Sequence, residues 1–263
     1  MKTVKFNQNS KNIKNFFDDN GYVVIKNFFS SKQCDQFLKK ITPLANKEYA
    51  PIMNPDREDF LITQVLEKVN SLTTLGEKTD FLNSLKSYNK FFRKIMLEKK
   101  TLNILKYIKG KKVCALMSQM IFKKANTKYA KQSWQPHQDN SYPKNKGGHY
   151  TTINIFMNKS SKKNGTLYVW EKSHKHGLFK FKSKVSYREK DNKPGNICLT
   201  NKKFKVNYLD FSKGDMLIMH GNLVHGSQSN KSNQSRPLYS ISYIPVNESF
   251  IPGRNAKRMR ITH

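Results

Sequence analysis

Residues 214–230, GDMLIMHGNLVHGSQSN, decide how the rest of the chain reads. A Gly-Asp turn signal opens an apolar run, Met216 to Met219, and a second short segment follows with His225 and Ser227 two positions apart. A turn, a β-prone run and a polar, histidine-bearing strand predict a sheet that carries functional groups at its end. Earlier in the chain, SWQPHQDNSYP (residues 133–143) sets His137 and Asp139 two positions apart. In an extended segment such residues point to the same side. An imidazole and a carboxylate can then reach one ion together, and His225 from the later strand adds a third ligand. Two histidines and one carboxylate on one face of an ion leave three sites open, the facial triad of non-haem iron(II) chemistry. A 2-oxoacid takes two of those sites and O2 the third. Arg236, eleven positions after His225, opens the strand SRPLYSISYI, where a fixed guanidinium fork suits a carboxylate.

Working outward, the segments on either side of Gly110 differ in period. Before it the pattern is helical. Residues 9–21 carry Ile13, Phe16 and Phe17 on one face, with Asn9 or Ser10 as cap and Gly21 as stop. Tyr22–Ile25 is a short β-branched run. From Ser30 or Ser31, Cys34, Phe37, Leu38, Ile41 and Leu44 recur at helical spacing. Residues 60–72 and 81–109 are mostly helical, with Phe81, Leu82, Leu85, Phe92, Ile95 and Met96 as core candidates, and Gly110 ends the last helix. After it, strands are expected at 112–123, 150–157, 166–170, 204–209, 215–220 and 237–244. In the last, Tyr239, Ile241 and Tyr243 alternate with Ser240 and Ser242, the pattern of a half-buried strand. The basic segment 179–203 reads as a lid or mobile loop. These signals imply a helical N-terminal part packed on a C-terminal β-sandwich or barrel, without internal repeats.

Bulk properties bound the function. A chain of 263 residues with 37% hydrophobic and 12% aromatic residues can bury a sizeable core. Lysine and arginine number 49 against 18 acidic residues, a formal charge of +31. Such a field draws anions, yet the positive residues are spread along the whole chain rather than gathered into one tail or helix. The chain lacks the signatures of common nucleic-acid-binding motifs, so nucleic acid is not the favoured partner. Three scattered cysteines, Cys34, Cys114 and Cys198, argue for a reducing compartment. With no signal-peptide pattern and no long apolar run, the expectation is a cytoplasmic protein with no membrane span and no obligate protein partner.

The sequence resembles the phytanoyl-CoA dioxygenase family of iron(II)- and 2-oxoglutarate-dependent oxygenases. The likeness runs through NGYVVIKNFFSSKQCDQF, SWQPHQDNSYP, KKNGTLYVWEKSHKHG and GDMLIMHGNLVHGSQSNKSNQSR, in that order. The resemblance implies a β-rich α+β fold: a double-stranded β-helix (jelly-roll, cupin-like) with N-terminal flanking helices. It places the helical flank at 1–110 and the jelly-roll core at 111–250 of one domain, 1–263. It implies His137, Asp139 and His225 as iron(II) ligands and Arg236 with Ser227 as holders of the distal 2-oxoglutarate carboxylate. Gln119, Thr152 and Asn154 fall where the family lines its cosubstrate pocket. Trp134, Tyr142 and Trp170 are candidates for the substrate mouth. Two motifs depart from the family pattern: Glu171-Lys172 stand in for its Pro-Gly before Ser-His, and Lys124-Ala125-Asn126 for its Lys-Pro-Gly. Halogenating relatives lack the carboxylate that Asp139 supplies, so the resemblance implies hydroxylation. The expected substrate is a small, anionic molecule. The alternatives are an oxygenase acting on a macromolecular or carrier-bound substrate and a non-enzymatic, cupin-like metal-binding module.

Overall fold

The computed structural model describes residues 10–44, 52–57, 66–127, 130, 133–184, 195–253 and 258–262. Its helices precede its main strands. Helix α1 (Ser10–Asn20) ends at Gly21 and leads into β1 (Tyr22–Ile25). Helix α2 (Ser31–Ile41) starts with a capping box in which Ser30 and Gln33 exchange side-chain bonds with each other's backbone. A two-residue strand β2 (Ile52–Met53) and short helix α3 (Leu66–Asn70) follow. The expected helix at 60–72 thus survives as α3, and residues 60–65 lie outside the described residues.

The mostly helical stretch expected at 81–109 forms two helices. Helix α4 (Leu75–Met96) begins earlier, at a capping box built by Thr74 and Glu77, and α5 (Lys99–Lys109) runs to Gly110, whose left-handed backbone stops it. The break at Leu97–Glu98 contains no glycine or proline, which hides it from a sequence reading.

Two six-stranded antiparallel sheets follow. The first has the order β1-β10-β5-β12-β3-β2, with β3 (Val113–Ile121), β5 (Thr151–Phe156), β10 (Met216–His220) and β12 (Leu238–Pro245). The second has the order β7-β8-β4-β11-β6-β9. Its strands are β4 (Trp134–His137), β6 (Leu167–Trp170), β7 (Lys180–Lys184), β8 (Gly195–Leu199), β9 (Val206–Tyr208) and β11 (His225–Ser227). Helices and two facing sheets give the expected jelly-roll with its helical flank.

The main hydrophobic cluster lies between the helices and the outer face of the first sheet. Phe37, Leu85, Phe92 and Met96 pack there against Ile153, Ile155, Ile218, Tyr239, Ile241 and Tyr243. Each large apolar side chain buried in it contributes about 1.5–3 kcal/mol. A second cluster (Val24, Phe156, Leu167, Val169, Leu217, Leu223) fills one end of the space between the sheets. Gly214 lets the turn before β10 pass close to the chain: a Cβ there would lie 2.0 Å from the Phe29 carbonyl oxygen. Asp215 then accepts from the backbone N–H groups of Asn27 (3.0 Å) and Ser212 (2.7 Å), pinning β10 to the connection after β1.

Two expectations change. Strand β12 is buried on both faces, not half-exposed: Tyr239 and Tyr243 are inaccessible beneath the helices, and Ser242 on the other face is also buried. Its serines face the interior, so polar alternation here marks a lumen rather than solvent. The segment 179–203 contributes the β7–β8 hairpin, with Lys180 opposite Leu199 and Lys184 opposite Gly195. Lysines at alternate positions of β7 masked its strand period; residues 185–194 lie outside the described residues. Among the described residues, no helix is long and apolar enough to cross a membrane.

Candidate active site

The two histidines meet because β4 and β11 pair antiparallel with His137 directly opposite His225, their ring centroids 4.4 Å apart. The ladder shifts between His225 and Ser227, whose partner is Trp134, so four residues of β4 oppose three of β11. Such a bulge re-aims the side chains beside it. Gly226 occupies the tight side of this pair, where a Cβ would lie 2.4 Å from the Tyr168 hydroxyl and 2.5 Å from the Trp134 carbonyl oxygen.

Asp139 opens a 3-10 turn, Asp139–Ser141, just past the end of β4. The intervening Gln138 keeps an extended backbone (φ −115, ψ 127), so His137 and Asp139 still face one side, as the spacing predicts. The Gln138 side chain anchors the turn: its amide nitrogen donates to the Asn222 and Gly177 carbonyls at 2.6 and 2.7 Å, and its oxygen accepts from Phe179 N–H at 2.8 Å.

The result is a three-ligand cluster. His137 Nε2 and His225 Nε2 each lie 3.6 Å from Asp139 Oδ1. All three ligand atoms fall within 4.8 Å of one another. Ligands about 2.0–2.2 Å from a common ion and at right angles would stand about 3 Å apart, so a small contraction seats a metal. Both imidazoles are tied by their other nitrogen: His137 Nδ1 is 2.7 Å from the Gln135 carbonyl oxygen and His225 Nδ1 3.0 Å from that of Leu223. A carbonyl accepts only from N–H, which fixes the proton on Nδ1 and leaves the Nε2 lone pair for a metal. Thr152 donates to Asp139 Oδ2 at 2.5 Å, leaving Oδ1 for the ion. Burial and the neighbouring His225 push His137 down to about 4, so it stays neutral at physiological pH. Burial works to raise Asp139, but His225, His137, Thr152 and Arg258 outweigh it and hold the carboxyl below its ordinary value.

A second, cationic feature lies deeper. Arg236 is 1% exposed, and its Nε and Nη1 are buried without a hydrogen-bond partner. Lys123 is equally buried; its ammonium donates to Ser227 Oγ at 2.7 Å and to the Gln228 carbonyl. Burial depresses the pKa of both, and for Lys123 the nearby Arg236 adds to the effect. Two buried cations and unused donors are costly unless an anion joins them. Lys123 was not assigned from the sequence: among 49 basic residues, a lysine just past the end of β3 carries no local mark.

The other expected pocket residues share the inner face of the first sheet. Ser240 of β12 lies opposite both Gln119 of β3 and Asn154 of β5, and Ser242 lies opposite Thr152. The Asn154 amide nitrogen is buried with no partner. Tyr142 directly follows the Asp139–Ser141 turn, its hydroxyl accepting from the Asn196 backbone at 3.0 Å. Trp134 reaches the site from the side, its ring centroid 6.1 Å from that of His137 and its indole N–H buried without a partner. Trp170 lies elsewhere. It alternates with the inward-facing Val169 and stacks on Phe204 at 5.7 Å. With Trp134, Tyr168 and Tyr208 it lines an open cleft of about 480 Å³. His220 and His174 are not ligands of the cluster: His220 Nδ1 accepts from the Asn222 backbone, and His174 Nε2 sits 3.0 Å from the Asp18 carbonyl oxygen.

The family model for phytanoyl-CoA dioxygenase matches residues 17–238. The chain is 25% identical over 259 residues to a phytanoyl-CoA dioxygenase domain-containing protein 1 homolog of Caenorhabditis elegans, covering 86% of this chain and 87% of that protein. It is 25% identical over 250 residues to the peroxisomal phytanoyl-CoA dioxygenase of Bos taurus, covering 90% of this chain and 69% of that one. Among solved structures, the epimerase SnoN in complex with Fe3+, α-ketoglutarate and nogalamycin RO superposes with a TM-score of 0.64 at 13% identity, covering 96% of this chain and 94% of that one. The family match takes in every residue of the cluster and ends at the first residue of β12: the chain belongs to the phytanoyl-CoA dioxygenase family of iron(II)- and 2-oxoglutarate-dependent oxygenases.

Proposed function

We propose that the chain is a hydroxylase that oxidises an unactivated C–H bond of a small, anionic molecule, with iron(II) held by His137, Asp139 and His225. The observation that carries this reading is the pairing of two tasks in one cavity. Three ligand atoms converge on one side, and two buried basic groups, Arg236 and Lys123, have no acidic partner among the described residues deeper in. A dianion that chelates the metal at one end and meets Arg236 at the other satisfies both, which is the chemistry of 2-oxoglutarate. Iron(II) and 2-oxoglutarate supply the activation of O2 and the oxidising power, with release of succinate and CO2.

The chain's own residues bind and orient. Tied Nδ1–H groups aim both imidazoles, and Thr152 keeps the carboxylate turned so that one oxygen faces the metal. Arg236, with Ser227 and Lys123, grips the distal carboxylate as a charge-assisted fork. Gln119, Asn154 and Ser240 line the wall beside it and can donate to the cosubstrate. The apolar cluster around Phe156, Leu217 and Leu223 closes that end of the cavity and keeps water from it. Asp139 occupies the position that a halide would need, which supports oxygen transfer over halogenation.

The test is a screen of phosphonates, amino acids and acyl-CoAs for stimulated succinate formation, with mass analysis of the product. A compound that raises succinate and gains one oxygen atom supports the reading. Stimulation by nucleic acid or a carrier-bound acyl group alone would move the substrate to the macromolecular class.

A further inference from the structure

The described C-terminal residues 258–262 return to the site. Ile261 pairs with Ala115 of β3, exchanging backbone bonds at 2.8 and 3.2 Å, and Met259 N–H donates to the Leu116 carbonyl at 3.3 Å. Ile261 is buried in the main core, so the segment is held along the sheet. Two arginines alternate in it, and they are used differently. Arg260 spends its donors on the chain, giving Nε to the Val246 carbonyl at 3.0 Å and Nη2 to that of Glu248 at 2.5 Å. Arg258 makes one long contact, Nη1 to the Pro252 carbonyl at 3.5 Å, and meets the Tyr150 hydroxyl, while its Nε is buried with no partner.

The place of that unfilled Nε is informative. Its Cζ lies over the Tyr142 ring, 5.8 Å from the centroid. It sits beside the Tyr150 hydroxyl and close enough to Asp139 to help hold that carboxyl down. Asp139 does not absorb it: Oδ2 takes the Thr152 hydroxyl and Oδ1 faces the other ligands. Asp139 is also the open side of the cluster, with 21% of its side chain exposed against 11% for His137 and 7% for His225. Arg236 and Lys123 are already assigned to the distal carboxylate of the cosubstrate, and a metal would offset Asp139 and the other carboxylate. Arg258 therefore stands at the mouth as a cation with an unpaired donor.

We propose that Arg258 is the specificity-determining residue, pairing its guanidinium with an oxyanion of the substrate, a carboxylate or a phosphate, and so placing the oxidised carbon between itself and the metal. The inference rests on the functional reading above. Tyr142 and Tyr150 frame the pair: one ring shields the guanidinium face from water, and one hydroxyl can share the oxyanion. A partly desolvated, charge-assisted fork of this kind discriminates strongly between an anion and its neutral counterpart.

The test uses full-length protein loaded with cobalt(II) and 2-oxoglutarate, titrated with butyrate, butyl phosphate and butanol. Visible absorption of the cobalt reports ligands arriving at the metal's open side. In the wild type at least one anion should bind about ten-fold or more tighter than butanol, and the better of the two identifies the oxyanion. Arg258→Gln should bring that anion to the level of butanol, and Arg258→Lys should restore part of the preference. Equal binding of all three probes to the wild type, or no response to any of them, overturns the inference without a variant. An anion preference that survives in Arg258→Gln overturns it as well. Metal and 2-oxoglutarate affinities of the wild type are measured alongside. Failure to bind either defeats the functional reading itself, whereas binding of both with no dependence on Arg258 defeats only this inference.

Discussion

The two faces of the first sheet differ in everything but their backbone. On the outer face Ile153, Ile155, Ile218, Tyr239 and Tyr243 meet the helices, with Thr151 and the bonded pair Ser118–Asp56 as buried polar exceptions. On the inner face of the same strands stand Thr152, Asn154, Ser240, Ser242 and Gln119, with Arg236 just before β12. Because strand side chains alternate, one set of backbone hydrogen bonds serves both. The outer face supplies folding free energy, and the inner face uses the rigidity so gained to hold polar groups in place, Asn154 and Arg236 among them with donors left unpartnered. Changes on the two faces should therefore separate stability from chemistry.

The largest effect is expected inside. His225→Ala removes one ligand and its ring contact with His137 but keeps the strand pairing, so iron binding and turnover should be lost, while the melting temperature changes little. Metal content after dialysis and a thermal melt check both halves. The mirror experiment is Phe92→Ala on the helix side, which empties a fully buried site and should cost about 3–5 kcal/mol in denaturant unfolding. The metal affinity of the molecules that remain folded should be unchanged. A ligand loss that unfolds the protein, or a core cavity that abolishes metal binding in the folded fraction, would break the division.

Smaller effects sharpen it. Arg236→Leu removes the deep fork and should raise the 2-oxoglutarate requirement on the order of 10- to 100-fold, with iron affinity kept. Steady-state titration of the cosubstrate measures it. Lys109, at the end of α5 and over the Phe17 ring, is lowered by burial to about 7. A lysine neutral in the fold but charged when unfolded makes the unfolded state bind more protons. Stability should then rise with pH from about 7 to about 10.4, the ordinary lysine value, and be lowest and flat below 7. Lys109→Met should flatten that rise in denaturant melts taken across the range.

The metal cluster and Arg236 were legible in the sequence because their spacing is dictated by strands: His-x-Asp on an extended segment, a histidine on the facing strand, an arginine at the start of the next. The serines of β12 were read as facing outward because alternation reveals which residues share a side, not what covers that side. The β7–β8 hairpin was obscured by lysines alternating with Phe181 and Ser183, which resemble loop composition more than strand pattern. Lys123 and Arg258 escaped for a different reason. Each owes its place to a long-range return of the chain, β3 against β11 and the C-terminal segment against β3, and a lysine or arginine among 49 basic residues carries no local mark. The break between α4 and α5 has no residue that signals it.

The central claim is that His137, Asp139 and His225 form the iron centre. Its most direct test is iron(II)- and O2-dependent conversion of 2-oxoglutarate to succinate, comparing the wild type with Asp139→Ala and His225→Ala, all shown to be folded by circular dichroism. The account predicts succinate from the wild type and none above background from either variant. Equal succinate from all three proteins would contradict it.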